Sequence, residues 1–181
     1  QMEEKDAHLH SVAATRRLAV TGLRWKIVPA SQVGPCSDAG AAEETAAYCA
    51  EVLSEIESFE EALQHLTLAI GRNVAVAENV WEQREGALRL ADVVPVAFDR
   101  LAIDEMGVLR VLTRESPLDG LALPPGKFIV HTPHAVSGSP MRGGLLRASA
   151  LAYLGKHFAI KDWMVFSEVF GMPVRIARYE P

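Results

Sequence analysis

The feature that most constrains this chain lies near its C-terminus, in the run FAIKDWMVFSEVFGMPVRIARYEP from Phe158 to Pro181. From Leu146 to Phe170 the helical period is unbroken, and 25 residues at the α-helical rise make a rod of about 37 Å, longer than a compact small domain can cover. Its apolar positions, Leu151, Leu154, Phe158, Trp163, Phe166, Val169 and Phe170, spread wider than one narrow stripe, so more than one neighbour is expected to pack on it. Gly155 is the one position in the run that would favour a kink. Gly171 is placed to end the helix and Pro173 forbids its resumption, after which Met172 to Tyr179 alternates at a strand period. A strand at that point needs a partner that the following residues do not supply.

The chain has 181 residues, 49% hydrophobic and 23% charged, which fits a globular protein with a real core. No apolar stretch approaches the roughly 18 residues of a membrane span, and the start QMEEKDAHLH is too acidic and polar for a signal peptide. No membrane partner is expected. Two cysteines, Cys36 and Cys49, form no disulfide framework and no metal-ligand spacing. The net charge of -5 is uneven: residues 141–181 hold six Lys or Arg against three Asp or Glu, +3, which leaves -8 for the rest. Such asymmetry marks either a surface that meets a polyanion or a solvated basic face.

Upstream, Glu3 to Gly22 has helical spacing with Gly22 as a C-cap, and Leu23 to Val28 alternates like a strand that Pro29 ends. Ala30 to Gly40 is an exposed loop. Ala41 to Ile56 predicts a helix, and Ser58-Phe-Glu-Glu61 has the form of a capping box opening a second one that ends near Gly71. From Asn73 the period changes to two, and Asp104 to Gly107 is a hairpin turn between Leu101–Ile103 and Val108–Leu112. Lys127 to His131 is one more strand. Ser139 and Pro140 are placed as N-cap and first residue of the long helix. The fold class is therefore α+β: a mixed helix and antiparallel-strand unit over 1–135, a long helix over 136–171 and a short terminal strand over 172–181.

Chemistry is harder to find. His131 and His134, and His8 and His10, lack the spacing that aims two imidazoles at one metal. No nucleophile elbow, phosphate loop or dinucleotide fingerprint is present. Glu78, Glu82, Asp99 and Asp104 read as solvated carboxylates, and Trp81, Trp163 and the Phe158 to Phe170 cluster as core or subunit interface. No catalytic residue, metal site or cofactor is assigned.

The segment Lys127 to Tyr179, KFIVHTPHAVSGSPMRGGLLRASALAYLGKHFAIKDWMVFSEVFGMPVRIARY, resembles the Mu-like phage portal protein family. The resemblance rests on Ser139-Pro140, Lys156, Asp162-Trp163, Glu168 and Phe170-Gly-Met-Pro173, with support from DAHLHSVAATRRLAVTGLRWKIVPA and FEEALQHLTLAIGRNVAVAENVWE upstream. It implies a non-enzymatic, structural subunit of a homo-oligomeric ring at the capsid vertex of the virion, in which 1–135 is a wing, 136–171 a stem helix and 172–181 the first strand of a clip. Family members continue past that strand, so a piece of a longer chain is expected. The partners implied are other copies of the chain, the terminase large subunit, head completion and capsid proteins, and double-stranded DNA in transit. Leu151, Leu154, Phe158, Trp163, Phe166, Phe170, Met172 and Pro173 are then the candidate subunit interface, and Lys156, Lys161, Arg175 and Arg178 the candidate contacts to DNA or partners. The alternative is a free-standing nucleic-acid-binding module that grips phosphates with the basic C-terminal helix and strand.

Overall fold

The computed structural model describes residues 2–84, 86–133, 139–172 and 176–180. Two helices open the chain, α1 (Met2–Lys5) and α2 (Ala7–Thr21), separated by Asp6. Next come α3 (Ala39–Ser54), α4 (Phe59–Leu66) and the single turn α5 (Ala69–Arg72). Among the described residues six strands follow: β1 (Ala75–Arg84), β2 (Ala87–Val96), β3 (Leu101–Ile103), β4 (Leu109–Val111), β5 (Leu121–Ala122) and β6 (Phe128–His131). Helix α6 (Leu145–Phe170) is the last element among the described residues.

The strands make two antiparallel sheets, ordered β2-β1-β6 and β3-β4-β5. The run Asn73-Val-Ala-Val-Ala77 is buried throughout, because the first sheet is covered on both faces at this point. Alternation sends Val76 to one side, with Val74, Val96, Leu101 and Val111 of the second sheet, and Ala77 to the other, with Val93, Ile56 and Ala62 of α4. The core is thus α4, then the first sheet, then the second sheet. Asn73 turns the chain from α5 into β1 with a left-handed φ of 69°, and its Nδ2 donates to the Pro140 carbonyl at 2.8 Å.

Several expectations hold. The hairpin at Asp104 to Gly107 forms with Gly107 at φ 81°, and the Asp104 carboxylate accepts from the Met106 and Val108 amides. The long helix runs 26 residues without a break at Gly155.

Others are corrected. Leu23 to Val28 is not a strand: it pairs with no strand among the described residues, and Trp25 sets edge-on against Phe59 instead, ring centroids 5.3 Å apart. The Ser58 capping box does not form, since Ser58 Oγ donates to Asp92 Oδ1 on β2 and makes no side-chain cap. The long helix does not start at Ser139 and Pro140. That segment is a turn closed by the Arg142 amide on the Ser139 carbonyl, and α6 begins at Leu145 with Gly144 at its N-cap. Gly22 and Gly171 do end helices, but with φ of -77° and -71° and so without the left-handed turn that makes glycine a C-cap. Ile176 to Glu180 is in no strand, and Pro173, Val174 and Arg175 of the expected terminal strand lie outside the described residues.

Candidate functional site

Helix α6 divides into two parts. Leu146, Ser149, Ala150, Tyr153 and His157 recur at helical spacing and are half-buried, so the first three to four turns lie on the body, against α5 and α1. From Phe158 to Phe170 every residue is exposed. These 13 residues carry the helix about 20 Å past its last cover at the α-helical rise.

The composition of that end is the opposite of what water selects. Set out at the helical period, Phe158, Ile160, Trp163, Met164, Val165, Phe166, Val169 and Phe170 cover ~260° of the circumference, interrupted by Asp162 and Ser167. Lys161 and Glu168 share the remaining polar strip. Trp163 is 71% exposed, Phe158 63% and Phe170 65%, and Phe166 stacks on Phe170 with centroids 4.9 Å apart. A helix apolar around most of its girth is ordinarily buried among neighbours on several sides. Here the described residues supply none.

Of the residues singled out from the sequence, Leu151, Leu154, Phe158, Trp163, Phe166, Phe170 and Met172 are all exposed and lie on α6 or just after it. Pro173 and Arg175 lie outside the described residues. Lys161 and Arg178 are exposed. Lys156 has a partner within the chain: its Nζ lies 2.8 Å from each oxygen of Asp6. The Lys156 hydrogen bond, with the amides of Leu9 and His8, pulls the Asp6 carboxyl to about 2. Reading the sequence missed Asp6. Its place before the helical period of Ala7–Thr21 is an N-cap signal, but nothing local points to a lysine 150 residues away.

A second missed feature is the seat of α6. Gly144 is buried against the backbone of Gly71 and Arg72, and a Cβ there would fall 2.1 Å from the Gly71 carbonyl oxygen. On the other side, a Cβ on Gly71 would press on Leu146 at 3.1 Å. Two glycines thus let α5 and α6 meet backbone to backbone.

Elsewhere the surface offers little chemistry. Among the described residues no three His, Cys, Asp or Glu gather as a metal site, and no helix is long and apolar enough to cross a membrane. Trp81 is exposed and donates its indole N–H to the Gly126 carbonyl, so it belongs to neither core nor any interface within the chain. Glu78 lies 3.5 Å from Lys127, and Asp104 pairs with Arg110. His134 lies outside the described residues. Cys36 and Cys49 are exposed free thiols.

The geometry is thus a mixed helix-and-strand body with one long, largely apolar helix whose end is exposed. The chain belongs to the family described as "Portal protein of Mu bacteriophage", whose sequence profile matches residues 1–181. It is 32% identical to the portal protein of Escherichia phage Mu over 186 aligned positions, covering 98% of this chain and 34% of that protein. It is 28% identical to the Mu-like prophage FluMu protein gp29 of Haemophilus influenzae, with the same coverage of each. The chain therefore spans about a third of the length of these relatives. An HK97 family phage portal protein from Corynebacterium diphtheriae overlaps 64% of this chain and 34% of its own, with a TM-score of 0.42 and 13% identity, a likeness too remote to inform the site.

Proposed function

We propose that this chain supplies the wing-like body (1–135), the stem-like helix (136–171) and the first clip segment (172–181) of a portal subunit, and that the end of α6 is packed between copies of the chain in a ring. The ring sits at the portal vertex of the virion, conducts double-stranded DNA during packaging and ejection, and docks the terminase large subunit, with head completion and capsid proteins around it. Its work is structural, not catalytic, and needs no cofactor.

The observation that carries this reading is the girdle of exposed apolar side chains from Phe158 to Phe170, wider than one partner helix can cover. A ring supplies what such a helix lacks, because every subunit presents one surface to the copy ahead and another to the copy behind. Covering even half of the exposed area of Trp163, Phe166 and Phe170 is worth on the order of 3 kcal/mol, or about a hundredfold in an association constant. Among the described candidates Lys161 and Arg178 are exposed and serve the channel or partners, with Arg175 the further candidate, whereas Lys156 is already engaged by Asp6. A channel through which DNA must slide has no use for tight phosphate contacts, whose strength falls steeply with salt.

Sedimentation and electron microscopy of the assembled protein, run beside a salt titration of duplex binding, test the reading. A closed ring with an axial channel and weak duplex binding is expected. Particles that never close, with tight and steeply salt-dependent duplex binding, would instead favour the nucleic-acid-binding module.

A further inference from the structure

The N-terminal helices break at one residue, and that residue reaches across the molecule. Asp6 ends α1 and caps α2, its Oδ1 accepting from the His8 and Leu9 amides at 3.0 Å. The same carboxylate takes Lys156 Nζ at 2.8 Å on both oxygens. Its side chain is only 5% exposed, against 44% for Lys156, so the lysine closes over an otherwise covered acid. Lys156 stands one residue before His157, the last half-buried position of α6. The ion pair therefore sits where the helix leaves the body.

At the other end, α6 is seated by the backbone contact of Gly144 with Gly71. The two anchors are 12 residues apart, about 18 Å along the helix. What lies between them is loosely filled. Two adjoining cavities of about 260 and 240 Å³ separate α2 from α6, sharing Leu9, Val12 and Ser149 in their walls. Their walls mix large side chains, Leu9, Val12 and Arg16 on α2 and Leu146 and Tyr153 on α6, with small ones, Ala13, Ala148, Ser149 and Ala152, and the space left between them is no close-packed seam that would fix the angle between the helices.

From this geometry we propose that the Asp6–Lys156 pair is a clasp that sets the direction in which α6 leaves the body, with the Gly71–Gly144 contact as its pivot. Released, α6 swings on Gly144 and widens the gap between α2 and α6. Closed, it aims the aromatic end in one direction. The clasp acts within one copy of the chain and so stands whether or not the ring reading does. If the ring forms, the clasp is what presents every α6 to its neighbour at the same angle.

Two substitutions break the ion pair and keep the helix cap. Lys156→Met leaves the Asp6 carboxylate on the α2 amides, and Asp6→Asn removes the charge but retains a side chain that caps as well as aspartate does. In a Cys36→Ser/Cys49→Ser background, spin labels at Gln64→Cys on α4 and Ser167→Cys on α6 report the angle by pulsed electron spin resonance. Labelled chains are diluted into unlabelled ones, so that every distance is internal. A second pair, Gln64→Cys and Gln83→Cys, reports the folding of the body and stays narrow in every variant. The parent and Lys156→Arg are expected to give one narrow distribution between α4 and α6, and Lys156→Met and Asp6→Asn to lose it for a broad one. Distributions for both variants that superimpose on the parent, with the body pair narrow, would overturn the clasp. Broadening in both the α6 and body pairs would overturn it too, by showing that the ion pair holds the fold and not the angle.

Discussion

Two glycines in or beside α6 should respond to alanine in opposite directions. Gly144 has φ -70° and ψ 142°, a conformation open to any residue, so alanine there meets no backbone strain. What it meets is backbone: its Cβ would lie 2.1 Å from the Gly71 oxygen and 2.8 Å from carbonyl carbons of Gly71 and Arg72. None of these atoms can rotate away, so relief requires α6 to lift off α5. Overpacking of this kind costs about 1–3 kcal/mol, and an obstacle made wholly of backbone places Gly144→Ala near the upper end. Gly155 sits mid-helix with nothing within 4 Å of an added Cβ, so Gly155→Ala gains about 0.5–1 kcal/mol of helix propensity at no steric cost. Urea unfolding of parent and both variants, at unchanged slope, reads the two free energies directly. For a chain of this size a loss of 3 kcal/mol lowers the melting temperature by roughly 9 °C. A Gly144→Ala variant within about 0.5 kcal/mol of the parent, smaller than any overpacking term, would refute the account of how α6 is seated.

The core and the half-buried His65 give further checks. Val76 is fully buried between the two sheets, and Val76→Ala should cost about 2 kcal/mol in the same unfolding assay, from two lost carbons and a partly unfilled hole. His65 Nε2 is buried without a partner, and burial holds its pKa below the ordinary 6.5. The folded state then binds fewer protons than the unfolded one. The stability this group contributes is full above about pH 6.5 and is lost as pH falls from there towards the lowered folded value. His65→Gln should accordingly flatten the loss of stability that sets in below pH 6.5, and an unchanged slope would show that His65 is not its source. Asp6 has the corresponding carboxylate signature: its contribution is present above 3.8 and lost as acid approaches 2, so Asp6→Asn should lower stability at every pH above 3.8 and flatten the fall between 3.8 and about 2.

Which parts were legible in the sequence follows from how local their causes are. The long helix could be read because 26 residues hold one period and a glycine and proline stop it. The Asp104 to Gly107 turn could be read because the aspartate and the positive-φ glycine are three residues apart, with the Gly107 amide donating to the Asp104 carbonyl. Leu23 to Val28 misled because alternation describes any extended segment with one wet side, and only a neighbouring strand makes it a sheet. Ser58 misled because the local acceptor geometry of a capping box was outbid by a carboxylate on β2, 34 residues on. Ser139 and Pro140 form a plausible helix start, yet the start is fixed by Gly144 fitting against Gly71, a contact that exists only after the chain has folded. The Asp6 to Lys156 pair is the extreme case, set by the packing of the two ends of the chain. At the candidate site itself, the apolar breadth of α6 was visible in advance, and the place where its cover ends, at His157, was not.

The central claim is that the end of α6 is covered by other copies of this chain. A photoreactive phenylalanine analogue placed at Trp163 or Phe166, and at half-buried Leu146 for comparison, tests it residue by residue in the assembled protein. The account predicts a ladder of cross-linked multimers from the first two positions, ending at one fixed ring size, and internal products alone from Leu146. Internal products at all three positions, with α6 folded back on its own body, would contradict it.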